Sequence, residues 1–220
     1  MFRKLMGSTL LIVGLVSFSL PVYADSGSYI LSINSGGHLW LDGNSTLHTW
    51  ESVTSTFTLK TSTFTADSPT IPDIDTLIAL ISGNFIFDVP VQSLKNPGEG
   101  SNFDRNLWDD LKYKQNPDIV FSLASATPTP DPSVAGRYNI SAQGSLTVAG
   151  KENPVSVSAI FDINDNTLRI TGTEDLLMTD FGIKPRTIFF VVHTDNKVTV
   201  RWDLSLSAKP SSNTSGGGDQ

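Results

Sequence analysis

The residues best suited to chemistry gather in one short stretch, Gly43-Asn44-Ser45-Thr46-Leu47-His48-Thr49-Trp50. His48 and Trp50 share one face of an extended segment, where an imidazole and an indole could meet a ligand head group at the mouth of a barrel. The same pair also suits a structural role: a half-buried histidine bonded to backbone, beside a tryptophan whose indole N–H finds a carbonyl. Gly43 to Leu47 lacks the final glycine and the strand-turn-helix setting of a nucleophile elbow, so Ser45 reads as a turn residue. His38, His48 and His193 have no metal-ligand spacing. With no cysteine in the chain, a cysteine nucleophile, a disulfide framework and a lipid-modified N-terminal cysteine are excluded together. Asp104 and Arg105 could steer a ligand, but as helix-start residues they are expected to cap and to stay solvated. Asp180 is expected to bond within its own loop as an Asx-turn. Paired carboxylates, a phosphate-cradling glycine loop and a basic aromatic patch are not found. The chemistry points to binding, with no catalytic residue, metal or cofactor.

The element that positions such a site is the stretch Ser101 to Leu123. Phe103, Leu107, Trp108 and Leu111 make an apolar stripe about one helical face wide. Ser101 and Asp104 have the form of a capping box. Asp104 in the first turn and Lys112 and Lys114 in the last suit the helix dipole, and Asn116-Pro117 ends the helix. Ile119, Phe121 and Leu123 then alternate as a strand. Such a helix in a β-rich chain serves as a cover, over a barrel end or a hydrophobic edge.

The rest of the chain is period two. Tyr29, Leu31 and Ile33 open it, and Leu39 and Leu41 resume it after Gly36-Gly37. Ser45 to Lys60 reads as one long stretch, with a bulge near Glu51. Asp67 to Asp75 is a loop. Leu77 to Val91 keeps one face apolar and reads as a long strand. Tyr138 to Val148, Val155 to Ile163, Leu168 to Leu176 and Val198 to Leu206 follow, with turns at Ala149-Gly150 and Asn164-Asp165-Asn166. Thr127 to Pro132, T-P-T-P-D-P, reads as a loop. The fold class is all-β: an eight-stranded antiparallel barrel with one short helix. Its lining would hold Phe57, Phe85, Phe87, Phe121 and Phe161 interleaved with Ala79, Gly83, Ala142, Gly144, Ala159 and Gly172. Small residues between aromatics either leave room along the axis for a ligand or merely relieve crowding in a filled core.

Composition limits the partners. The net charge is −7, which argues against nucleic acid and gives no general attraction to anionic membrane surfaces. Residues 1–24 read as a cleavable signal peptide: Arg3 and Lys4, an apolar run from Leu10 to Leu20, and Val22-Tyr23-Ala24. That run is too short for a stable membrane span. The expected organisation is signal peptide 1–24, barrel 25–208 and a disordered Ser/Gly-rich tail 209–220.

Four segments in order resemble the YceI-like family: Gly43 to Trp50, Asn116-Pro117-Asp118-Ile119-Val120-Phe121, Gly144 to Gly150 with Pro154-Val155, and Met178-Thr179-Asp180-Phe181-Gly182-Ile183-Lys184-Pro185. The resemblance is to the branch with the S-T-L-H-x-W opening. The prenyl-binding members carry a different opening, and Pro185-Arg186 stands where a second proline is common. The resemblance implies a lipocalin-like barrel, exported to the periplasm or secreted, that binds an apolar chain-like molecule such as a polyisoprenoid. The candidate ligand contacts are then His48, Trp50, Phe57, Phe85, Phe87, Trp108, Phe121, Ala142, Phe161, Met178 and Phe181. A ligand-free structural or interaction module of the cell envelope is the alternative. The oligomeric state stays open, a dimer included.

Overall fold

The structure is a computed structural model describing residues 27–98, 100–188 and 192–211. The expected signal peptide and residues 212–220 of the expected tail lie outside the described residues.

In chain order the elements are β1 (Gly27–Ile33), β2 (His38–Ser45), β3 (Thr49–Thr54), β4 (Thr58–Lys60), β5 (Phe64–Ala66) and α1 (Ile74–Ile81). Then come β6 (Ile86–Pro90), α2 (Ser101–Asp110), β7 (Asp118–Pro130), β8 (Arg137–Val148), β9 (Lys151–Asn164), β10 (Thr167–Leu177), β11 (Thr187–Ile188) and β12 (Val192–Pro210). Short 3-10 turns occupy Val91–Ser93 and Met178–Phe181.

The ladder runs β3-β2-β12-β10-β9-β8-β7-β6-β4, antiparallel throughout. β3 and β4 stand at opposite ends of that order, yet only Ser55 to Phe57 separate them in the chain. The sheet must therefore curl until its ends meet, and β3 and β4 make one bent stave of an eight-stave barrel. Backbone hydrogen bonds between Val53 and Lys95, 2.8 and 3.0 Å, tie β3 to the segment after β6. β1 extends the wall by pairing with the far end of β12.

Alternation sets which residues face in. Phe87 pairs with Phe121 on the inside, while Asp88 turns out to meet Lys60 at 3.5 Å. Ion pairs cross the outer face: Arg137 with Asp162, Arg169 with Asp203, and Arg201 with both Asp42 and Glu51. The Ala149-Gly150 turn has φ of 52° and 80°, the left-handed pair of a tight hairpin.

Several expectations are corrected. Leu77 to Val91 is not one strand. Ile74, Leu77, Ile78 and Ile81 also recur at helical spacing, and Asp73 decides between the two periods. Its carboxylate accepts from the amides of Asp75 and Thr76, each at 3.1 Å, and from the Thr76 hydroxyl at 2.8 Å, an N-cap that starts α1. Ser45 to Lys60 is broken by a turn in which Ser45 Oγ donates to His48 O at 2.9 Å and accepts from the Leu47 and His48 amides. Thr127 to Pro130 belongs to β7, pairing with Ser141 to Tyr138. Beyond the stretch paired with β6, β7 has no second strand partner among the described residues, so Pro128 and Pro130 can turn their missing donors to that edge. Lys209 and Pro210, expected in the tail, pair with Ile30 and Tyr29.

The expected start of α2 also changes. Gly100 precedes the helix at φ 74°, and Asp104 is buried instead of solvated. Its carboxylate accepts from the Asn96 amide at 2.8 Å and meets Lys95 at 3.7 Å. The helix ends at Asp110, so Lys112 and Lys114 lie in the turns beyond it.

Candidate functional site

The axis of the barrel is open. A cavity of about 590 Å³ runs between α1, whose Ile81 lines one end, and α2, whose Phe103 and Leu107 line the other together with Leu111 just past the helix. That volume falls in the roughly 300–1,000 Å³ range of small-molecule pockets. The room comes from small inward residues. Ala142 and Ala159 line the wall opposite larger side chains. Gly43 and Gly172 have no Cβ because the indoles of Trp50 and Trp202 occupy that space, each lying across its ladder partner. Aromatics laid against the wall leave the centre free. Two other glycines of the expected lining play other parts: Gly83 makes the turn after α1 at φ 73°, and Gly144 lets Phe121 and the Ser122 carbonyl approach. Ala79 is exposed on α1.

Nine of the candidate contacts, His48, Trp50, Phe85, Phe87, Phe121, Ala142, Phe161, Met178 and Phe181, line the cavity, and two do not. Phe57 stacks on Phe87 at 5.2 Å, behind the lining. Trp108 faces the connection before α2: its Nε1 donates to Leu94 O at 3.0 Å, and the Lys95 ammonium lies 3.8 Å from its ring centre. It fixes the helix, and Phe103 and Leu107 face the cavity in its place. Nothing in a helical stripe alone tells which flank meets the barrel axis.

The mouth lies at the α2 end. Leu47 is 70% exposed there, and the polar lining residues Ser45, His48, Asn102, Asn106, Asp110, Arg186 and Thr194 gather around it. His48 is exposed, with Nδ1 2.8 Å from Thr49 O. Arg186 closes the rim, bonding Asp110 Oδ2 at 2.5 Å and Asn106 O at 3.0 Å. The β9–β10 ladder stops at Ala159–Gly172, although both strands continue toward the mouth. The Met178–Phe181 turn packs on β9 across that gap. Phe181 is buried, and Asn153 Nδ2 donates to Asp180 O at 2.8 Å.

Deeper in, the lining is apolar except at one position among the described residues. Glu174 points inward from β10, across the ladder from Val200, which in turn pairs with Leu41. Partial burial pushes its carboxyl up from the ordinary value, and Asp175 adds to the shift. Glu174 shares the parity of Ile170 and Leu176, so period-two alternation by itself already puts one acidic residue on an otherwise apolar face.

Among the described residues no cluster of histidines and acids could hold a metal ion, and no helix is long and apolar enough to cross a membrane.

Residues 40–206 match the YceI-like domain. A polyisoprenoid-binding domain from Saccharophagus degradans, implicated in plant cell wall breakdown, is similar in structure at a TM-score of 0.58 and 8% identity, over 81% of this chain and 98% of that one. BcnA of Burkholderia cenocepacia is similar at a TM-score of 0.56 and 16% identity, over 77% of this chain and 95% of that one. At these identities the likeness is one of fold. No curated protein matches the chain.

Proposed function

The chain belongs to the YceI-like family, and on that premise we propose that its barrel is a binding protein, not an enzyme, that takes an apolar chain-like molecule of the polyisoprenoid or lipid class into its cavity. The observation that carries this reading is the open axis, about 590 Å³ with nearly all of its polar lining at one end. Burial of chain methylenes in such a lining is worth roughly 0.8 kcal/mol each, so few polar contacts are needed. The open axis also speaks against the ligand-free module, which requires a filled core. A further support is that the structurally similar Saccharophagus domain is a polyisoprenoid-binding domain.

The test is titration of lipid-stripped protein with a fluorescent prenyl analogue, beside Ala142→Phe. Saturable binding by the wild type, weakened in the variant more than its folding stability, is expected. Absence of saturable binding by the wild type would end the carrier reading.

Export to the periplasm or beyond is part of the proposal, supported by Arg3, Lys4, the apolar run and Val22-Tyr23-Ala24. Cell fractionation with N-terminal sequencing should find a chain starting at Asp25. An uncleaved cytoplasmic chain would overturn it.

A further inference from the structure

We infer that Glu174 is the polar anchor of the cavity, selecting chain-like ligands whose head group donates a hydrogen bond and carries no negative charge. The inference rests on the carrier reading above and deepens it by naming the head-group chemistry.

Three observations place the anchor. Glu174 lines the cavity from the inward parity of β10, between Gly172 and Leu176. Its neighbours across the ladder, Val200 and Leu41, are apolar and line the same cavity. Its carboxyl has no ion pair or hydrogen bond among the described residues, and the other ionic groups of the lining are engaged elsewhere. Asp110 and Arg186 hold each other at the rim, and His48 sits against Thr49 O. The contrast with Asp175, the next residue, is direct: turned outward, it meets Lys197 at 2.9 Å and Thr199 at 2.5 Å.

A carboxyl among apolar side chains without a partner is costly, and the cost disappears when a donor arrives. An apolar residue would suit this wall better for folding alone, so the carboxyl makes sense as half of a hydrogen bond whose other half is the ligand. The position fits that use. Glu174 lies four residues from Ile170 and four from Met178, about 13 Å along the strand in each direction. A head group held there leaves the depth below it, down to Ile81 and Ile170, for an apolar tail. A phosphate would meet a second negative charge between apolar side chains and be disfavoured.

The experiment is competition against the fluorescent prenyl analogue, using four C20 prenyl probes: the alcohol, the primary amine, the monophosphate and the hydrocarbon without a head group. They are run on the wild-type protein, Glu174→Gln and Glu174→Leu. In the wild type the alcohol and amine should outcompete the hydrocarbon by about tenfold or more, the span of a hydrogen bond to a charged group, and the monophosphate should be weakest. Glu174→Leu should bring alcohol, amine and hydrocarbon within about twofold of one another. Glu174→Gln, which keeps the shape but not the charge, should remove the penalty on the monophosphate. Hydrocarbon binding as tight as alcohol in the wild type, or an alcohol preference that survives Glu174→Leu, would overturn the anchor while leaving the carrier intact. Failure of all four probes and the analogue to bind would overturn the carrier, and the anchor falls with it.

Discussion

The indole of Trp50 occupies the space that a Cβ on Gly43 would need, across the β2–β3 ladder. Trp50 is 9% exposed and also meets Phe103 of α2, ring centres 5.6 Å apart. The missing side chain at 43 thus lets one aromatic reach from the barrel wall to the covering helix. Gly43→Ala should force the indole off the wall and cost about 1–3 kcal/mol, the usual range of overpacking. Denaturant unfolding measures it. Adding Trp50→Leu should make the glycine substitution nearly free, a coupling that a double-mutant cycle reads directly. An unchanged midpoint for Gly43→Ala alone would mean the indole moves aside without cost.

Arg186 holds Asp110 and the Asn106 carbonyl of α2 at the rim. Because the pair faces solvent, with side chains 41% and 32% exposed, Arg186→Ala should lower stability by less than about 1 kcal/mol. It should nonetheless loosen the covering helix and speed release of a bound prenyl probe, read by stopped-flow displacement. Equal release rates in variant and wild type would exclude the rim pair as a restraint on exit.

Ser52 is fully buried on β3, and its hydroxyl has no hydrogen-bond partner among the described residues. A buried unsatisfied hydroxyl is a cost in the folded state, so Ser52→Ala should range from neutral to a gain of about 1 kcal/mol. A clear loss in a thermal or denaturant melt would reveal a bond that the hydroxyl makes in solution.

Asp203 has its carboxyl held below the ordinary carboxylate range, chiefly by the hydrogen bond from Arg169, with partial burial opposing the shift. A group depressed in this way binds fewer protons folded than unfolded around its pKa. Its contribution is therefore present above the ordinary aspartate pKa and lost as pH falls through the lower folded value. The pair faces solvent, 57% and 40% exposed, so the effect should stay below about 1 kcal/mol. Asp203→Asn should flatten the acid limb of stability against pH by that amount. A limb as steep as the wild type's would assign acid sensitivity to other carboxylates.

Whatever depends on neighbours in the chain is legible from the order of residues alone. Period-two alternation from Tyr138 to Ile163 specifies strands and their inner face, since a one-residue slip would put every apolar side chain into water. The stripe from Phe103 to Leu111 specifies a helix, and Ala149-Gly150 and Asn164-Asp165-Asn166 specify tight turns. Ordered short motifs were enough for the family. Tertiary structure decided what depends on distant partners. Leu77 to Ile81 satisfies both periods, and the capping bonds of Asp73 with the packing of α1 on β7 choose the helix. Prolines 128 and 130 enter a strand because that edge of β7 is open beyond its pairing with β6. Asp104 is buried because the Asn96 amide, brought beside it by the turn before α2, needs an acceptor. Trp108 leaves the cavity to Phe103 and Leu107 because its N–H reaches the Leu94 carbonyl. Glu174 becomes an anchor only when the sheet closes, for its isolation is a property of the strands around it and not of its own. Local patterns can specify which face is apolar. Whether that face encloses space, and which polar group is left inside it, follows from how the staves meet.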